Sequence, residues 1–242
     1  MTPQELKNSI LQLAIQGKLV EQRPEEGTAE ELFAQIQEKK HRLIAEKKIK
    51  KEKPLPEITE EEKPFDVPDS WKWVRFGDAV FECFQGINTA GNHVTFVKEN
   101  GVPIIQTGDM SNGTVNLEGT KLMSWEDYDI YKEKYQPRVN DIFYCNIGTI
   151  GKPLIYHETY TMLFHWNIFL IRYASHIIIP GYLKIYLEYI TDYFKRNTDG
   201  TAMQFVSKKK ITNALIPLPP LAEQKRIVEK LEQLLPLCER LK

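Results

Sequence analysis

The stretch Ile216-Pro217-Leu218-Pro219-Pro220-Leu221-Ala222-Glu223-Gln224-Lys225-Arg226-Ile227-Val228 decides how the chain is read. Ala214–Pro217 is strand-like. The tandem prolines after Leu218 stop it and open a helix, because proline lacks an amide donor yet is preset for a first helical turn. Behind them Ile227, Leu231, Leu234, Cys238 and Leu241 recur at 4,3,4,3 spacing, the a/d seam of a coiled coil. Pro236 falls inside that pattern and removes one backbone bond, so a kink or weak point is expected there.

The other end of the chain carries matching signals. Thr2-Pro3-Gln4-Glu5 is a capping box with proline at the first helical position. Leu6, Ile10 and Leu13 follow at 4,3 spacing, and Gly17 suits a C-cap. Thr28-Ala29-Glu30-Glu31 repeats the box before a helix marked by Phe33, Ile36, Leu43 and Ile44 that ends near Lys47. The narrow stripes on both ends favour pairing of these helices with each other or with a second chain. Residues 47–70 hold a lysine run, then Glu60, Glu61 and Glu62, with Pro54, Pro56, Pro64 and Pro68. This stretch has no periodicity and reads as a linker or surface strap.

Every Tyr and Trp, and every Phe but Phe33, lies between Phe65 and Phe205, so an aromatic-cored body sits between aromatic-poor helical ends. Within it Val102–Thr107, Asp141–Asn146, Pro153–Tyr156 and Asn167–Tyr173 read as strands and Tyr182–Phe194 as a helix. Short strands without regular βαβ alternation predict an α+β class. The organisation expected is a helical segment 1–46, a linker 47–70, a mixed α/β body 71–217 and a closing helix 218–242.

The 242 residues, 42% hydrophobic and 27% charged, suffice for one large or two modest units with a real core, which excludes a wholly disordered chain. No apolar run approaches the ~20 residues of a membrane span, and residues 1–18 have no secretory core. Cys83, Cys145 and Cys238 are too scattered for a disulfide framework or a zinc pair, and they suggest a reducing, cytoplasmic compartment. The net charge of −1 argues against a generic polycation but leaves room for a binder with a local patch.

Catalytic patterns are missing. Gly148-Thr149-Ile150-Gly151-Lys152 is too short between its glycines for a phosphate loop, and Pro153 stands where a hydroxyl residue is needed. There is no GxGxxG and no Asn/Asp-Pro-Pro-Tyr. His157 and His165 have no ligand partners at metal spacing, and Glu61-Glu62-Lys63 lies in the strap rather than on a buried strand. No catalytic residue, metal ligand or cofactor is therefore assigned to this chain.

Polar, glycine-bearing loops remain. Gln85, Asn88 and Thr89 lie in the first, and Thr107 and Asp109 in the second. Thr149 and Lys152 lie in the third, and Gln204 in the loop from Gly200 that precedes Lys208, Lys209 and Lys210. Asn and Gln amides can read adenine bidentately, while lysines and backbone N–H groups suit phosphates. From Lys195 to Ile211 the charge is +4, a usable phosphate patch in a near-neutral chain.

These segments together resemble the specificity subunits of type I restriction–modification systems. Ile216–Val228 is similar to the PLPPLxEQxxIV signature that closes a target recognition domain in that family and opens a long conserved helix. Trp71–Asp78 resembles the opening of the domain, Gly101–Met110 its G-x-P-x-I-x-x-x-D strand, Asp141–Lys152 its G-x-I-G-K segment and Gly200–Ile211 its G-T-x-Q stretch. Ala14–Val20 resembles the end of the conserved helix. Two departures stand out: His165-Trp166-Asn167-Ile168 where many relatives have Asn-Gln, and Ala202 where Thr or Ser is frequent.

The resemblance implies one target recognition domain flanked by conserved helices that form an antiparallel, coiled-coil-like pair. It implies a non-catalytic subunit that reads half of a bipartite double-stranded DNA target and docks methyltransferase subunits, with restriction subunits joining the complex. S-adenosylmethionine is expected in the partner methyltransferase. A half-subunit or fragment is implied, and a homodimer through the end helices would restore two domains. The alternative is a protein–protein scaffold that docks methyltransferase subunits without reading DNA.

Overall fold

The computed structural model describes residues 2–111, 113–200 and 203–240. The helices are α1 (Pro3–Ile15), α2 (Ala29–Ala45), α3 (Phe76–Ala79), α4 (Trp125–Tyr135), α5 (Pro180–Arg196), α6 (Lys208–Asn213) and α7 (Leu221–Arg240). The strands are β1 (Lys72–Arg75), β2 (Glu82–Gln85), β3 (Phe96–Val97), β4 (Val102–Ile105), β5 (Met110–Ser111), β6 (Thr114–Val115), β7 (Leu122–Met123), β8 (Ile142–Cys145), β9 (Gly151–Ile155), β10 (Leu163–Phe164), β11 (Ile168–Arg172) and β12 (Leu215–Leu218). The class is α+β, as the sequence predicts. Two compact units form, one from 1–81, 173–190 and 209–242, the other from 82–172 and 191–208.

In the first unit β1 pairs antiparallel with β12, Lys72 opposite Leu218 and Arg75 opposite Leu215. The capping box of α1 forms, with Glu5 N–H donating to Thr2 Oγ1 at 3.2 Å and Thr2 N–H to Glu5 Oε2 at 2.7 Å. Gly17 then ends the helix at φ +70° as Lys18 N–H bonds the Leu13 carbonyl at 2.9 Å. The second predicted box does not form. Thr28 makes no side-chain cap bond, while the N–H of Ala29, the first helical residue, is met by the Ser70 carbonyl at 2.8 Å. Helix α7 continues through Pro236 rather than stopping there.

Helix α1 packs against α7. Its buried residues are Leu11, Ala14 and Ile15, about one residue's rotation (~100°) from the predicted stripe. Leu6 and Ile10 are half-buried and Leu13 is exposed. On α7, Ile227, Leu231 and Cys238 are buried, while Leu234 is half-buried and Leu237 exposed. Leu241 lies outside the described residues.

The Glu-Gln of the opening signature is a buried tie. Glu223, 1% exposed, accepts from Trp71 Nε1 at 2.8 Å and Gln22 Nε2 at 2.5 Å. Gln224, 0% exposed, accepts from the Ile179 N–H at 2.9 Å and donates to the Pro219 carbonyl at 3.0 Å. Burial pushes the Glu223 carboxyl above its usual pKa, opposed by the Trp71 and Gln22 hydrogen bonds and the Arg226 charge. The strap is tied as well. Buried Arg75 donates to the carbonyls of Pro56 (3.0 Å), Glu57 (2.9 Å) and Asn213 (2.9 Å) and forks onto Glu62 at 2.9 and 2.8 Å. Glu62 is thereby held below the usual carboxylate pKa, first by its hydrogen bond to Arg75.

The second unit contains two four-stranded sheets. One has the order β10-β4-β7-β3, with β10 parallel to β4 and the other pairs antiparallel. The other is antiparallel, β2-β11-β8-β9, and β5-β6 is a separate hairpin. Ile105 and Phe164 from the first sheet join Phe143, Leu154, Ile168 and Leu170 from the second in one core. Val102, Ile104, Met123 and Leu163 make another, covered by Tyr128, Tyr131 and Tyr135 of α4.

Glu223→Ala leaves the buried Trp71 indole N–H unpaired, whereas Gln22 keeps the Gly17 carbonyl, and it is expected to lower stability by about 1–3 kcal/mol in denaturant unfolding. Arg75→Lys keeps the charge but loses the fork. Limited trypsin digestion is expected to cut within residues 47–63 faster in that variant. Because Glu62 is shifted down, its part of the tie is present at neutral pH and is lost only as pH falls through its lowered pKa.

Candidate nucleic-acid interface

The second unit changes sheets at His165-Trp166-Asn167, between β10 in one sheet and β11 in the other. Named strand pairing ends at Phe164 and resumes at Ile168, and the backbone groups between are met by the end of β4 and by loops. His165 N–H donates to the Ile105 carbonyl at 2.8 Å, which brings in the loop that begins at Gln106. Ile87 N–H donates to the Phe164 carbonyl at 2.9 Å, and Trp166 N–H returns to the Ile87 carbonyl at 3.0 Å. Asn146 N–H donates to the Asn167 carbonyl at 3.1 Å, and Val206 N–H to the Asn146 carbonyl at 2.9 Å. A bridge joins Ile147 to Phe205. Three polar loops are therefore fastened to the crossover, and the fourth is fastened to the third through Asn146 and Ile147.

Gly86 makes the closest approach. A Cβ there would lie 2.2 Å from the Phe164 carbonyl oxygen and 2.6 Å from that of His165, so only glycine lets the first loop reach the crossover. Gln85 is half-buried and donates from Nε2 to the Trp166 carbonyl at 3.1 Å, which fixes the loop base. Beyond it Asn88 is exposed, and its Oδ1 accepts the Gly91 N–H at 3.0 Å. Thr89 is half-buried, with its carbonyl bonded by Val94 N–H at 3.0 Å.

Asp109 closes the second loop by accepting the Gln106 N–H at 2.7 Å, and Thr107 Oγ1 faces Asn167 Nδ2 at 3.5 Å. Thr107 is half-buried. Thr149 and Lys152 are exposed, and Lys152 has φ +49°, a left-handed backbone that a side-chain-bearing residue adopts at a cost. Gly151-Lys152 enters strand β9, not a helix, so the phosphate-loop reading fails on structure as on spacing. Gln204 is exposed, whereas Thr201 and Ala202 of the same loop lie outside the described residues. The lysine run opens α6, with Lys208 in the second unit and Lys209 and Lys210 in the first. Lys209 is exposed and its two neighbours are half-buried.

The crossover is polar where cores are apolar. Asn146 is 0% exposed, and neither Oδ1 nor Nδ2 has a hydrogen-bond partner; Asn167 Oδ1 and His165 Nδ1 are likewise buried and unpaired. Desolvation holds the His165 imidazole below its usual pKa, opposed by the Asn167 side chain. Cys145, beside Asn146, is pushed up to about 11 by burial, so it is a core thiol rather than a nucleophile. Among the described residues no group of three His, Cys, Asp or Glu side chains is placed to hold a metal ion. None of those residues forms a helix long and apolar enough to cross a membrane.

Sequence reasoning finds the loops but not the residues that fasten them, Asn146, His165 and Asn167.

Residues 68–241 match the family model described as type I restriction modification DNA specificity domain. The specificity subunits of the type I restriction enzymes EcoAI and EcoEI of Escherichia coli are 29% and 28% identical, each over 98% of this chain, and the chain spans 40% and 41% of their lengths. The HsdS subunit from Thermoanaerobacter tengcongensis shares the fold, with a TM-score of 0.55 and 21% identity over 88% of this chain and 48% of that one. The family match covers well over half of the sequence and includes both the closing signature and the crossover, so the chain belongs to the type I restriction modification DNA specificity domain family.

Proposed function

We propose that this chain is the DNA-recognising subunit of a type I restriction–modification methyltransferase. It reads one half of a bipartite double-stranded target and carries no catalytic group of its own. The observation that supports this most directly is the gathering of four polar loops, three fastened to one crossover and the fourth to the third. Rigid sheets hold the loop bases, and exposed Asn88, Thr149, Lys152 and Gln204 stand at the loop surfaces. A firm scaffold beneath exposed polar loops is what selective readout of a groove requires.

Chemistry then belongs to the partners. Methyltransferase subunits, which would bring S-adenosylmethionine, dock on the end helices, and restriction subunits join through the complex. Leu6, Ile10, Leu13 and Leu234, only partly buried or exposed in this chain, are the apolar positions left for a partner helix or a second copy. A second copy would supply a second recognition domain and make the target palindromic. Sedimentation equilibrium that finds only monomer across the concentration range would remove that part of the proposal.

Selection of binding sites from randomised duplexes is expected to return one defined half-site, with affinity that falls as salt rises. Methyltransferase docking with no preference among duplexes would replace recognition by the scaffold role. Alanine at Lys208, Lys209 or Lys210 is expected to weaken all duplexes about equally and to reduce the salt slope by roughly 0.9 for each phosphate no longer neutralised. Alanine at Gln85, Asn88 or Gln204 is expected instead to change which sequences are selected; equal weakening on all duplexes would count against base readout there.

A further inference from the structure

The two-stranded sheet of the first unit has one guarded edge and one open edge. Phe76 N–H bonds the Ala214 carbonyl at 2.8 Å, and these two residues continue the β1–β12 register. Bonded positions alternate along an antiparallel pair, so Lys72 and Val74 turn their main-chain groups toward β12, while Trp73 and Arg75 turn theirs away. Leu215 and Pro217 turn away on the other side, and theirs is the guarded edge. Tyr186 Oη donates to the Leu215 carbonyl at 3.2 Å, Tyr182 Oη donates to the Pro217 carbonyl, and proline has no N–H to satisfy. On β1, by contrast, no group among the described residues bonds the main-chain N–H or carbonyl of Trp73 or the main-chain N–H of Arg75.

A groove of about 690 Å³ runs along that open edge. Five consecutive residues, Trp71 to Arg75, line it. Successive strand residues face opposite sides, so a cavity on one face would meet only every second residue. Apolar lining comes from Phe33 of α2 and from Leu55 and Ile58 of the strap. The strap does not complete the sheet, because its carbonyls at Pro56 and Glu57 are taken by the Arg75 guanidinium.

The charge of the groove is one-sided. Its cations Lys63, Lys72 and Arg75 are already paired, with Glu60, Glu30 and Glu62 in turn. Glu57, Asp69 and Asp78 also line it, and none of them has an ion pair among the described residues. Burial holds the Asp78 carboxyl above its usual pKa despite the charges of Lys40 and Arg75. An open strand edge is completed by an extended segment, whose main chain supplies affinity and whose side chains supply choice. The unpaired carboxylates repel a phosphate backbone and favour a basic segment.

We infer that the β1 edge is a docking site for an extended segment of a partner protein, in which lysine or arginine alternates with apolar side chains. The segment adds a third strand to the β1–β12 sheet and sets its cations against Glu57, Asp69 and Asp78. The inference stands apart from the DNA reading proposed above.

The test selects binders to the full chain from a displayed library of random octapeptides. The peptide most enriched is then synthesised both plain and N-methylated, the second keeping its charges but losing its main-chain donors. Lysine or arginine at alternate positions is expected in the enriched set. The plain peptide is expected to slow hydrogen exchange at the Trp73 and Arg75 amides, and the N-methylated one is not. Glu57→Gln and Asp69→Asn change exposed side chains, and each is expected to weaken the plain peptide roughly 1.5- to 5-fold with the melting temperature unchanged. No enrichment, enrichment without basic residues, or exchange at Trp73 and Arg75 unaltered by the bound peptide would overturn the inference. Equal binding of the two peptides would reduce the contact to charge alone and overturn strand addition. Slowing at those amides as the chain is concentrated by itself would assign the edge to a second copy, against a partner protein.

Discussion

The second unit is organised by a constraint on its backbone at residues 165–167. There the chain leaves a sheet in which β10 runs parallel to β4 and enters one in which β11 lies between β2 and β8. The crossover lies between the two ladders, and its backbone amides are all but obliged to find partners. The end of β4 at Ile105 and the loops at Ile87 and Asn146 meet that need, and Asn146 in turn holds Val206. Three polar loops are brought together because the backbone of one segment requires partners, and the fourth follows through Asn146 and Ile147. Gly86 is the residue that permits the tightest of these approaches.

The first unit depends on a different device. Glu223 and Gln224 lie at the start of α7, but their hydrogen bonds run to Trp71, Gln22, Ile179 and Pro219. Residues far apart in sequence are joined by two adjacent side chains, each with both oxygens, or oxygen and nitrogen, engaged. This explains why the signature needs an acid followed by an amide and not merely two polar helix residues. Alanines there would keep helix propensity and lose the ties. The near-neutral charge is consistent with the division of labour proposed: a chain of net charge −1 contributes discrimination, and broad attraction to phosphate is left to partners.

Much of this is legible in the sequence. The long elements α1, α2, α5 and α7, the four principal strands of the body and the polar loops follow from caps, prolines and periodicity. Helix α4 does not stand out, since none of its residues is fully buried and its packed face is the half-buried tyrosines Tyr128, Tyr131 and Tyr135 rather than aliphatic side chains; a local sign is the Ser124 hydroxyl accepting from Asp127 N–H at 3.1 Å. Strands of two residues such as β3, β7 and β10 are too short to show alternation. The strap looks structureless in sequence because its order comes from Arg75, which lies outside it. The unpaired crossover amides are illegible for the same reason: only the register between β8 and β11 sets Asn146 opposite Asn167.

The crossover and its loops are the surface proposed to meet DNA. Hydrogen–deuterium exchange of the full chain with and without its selected duplex tests this directly. The account predicts slowed exchange at 85–89, 106–109, 146–152, 165–167 and 204–208, with no change across α2 and the strap. Protection confined to α1, α2 and α7, with those loops exchanging as in the free chain, would contradict it.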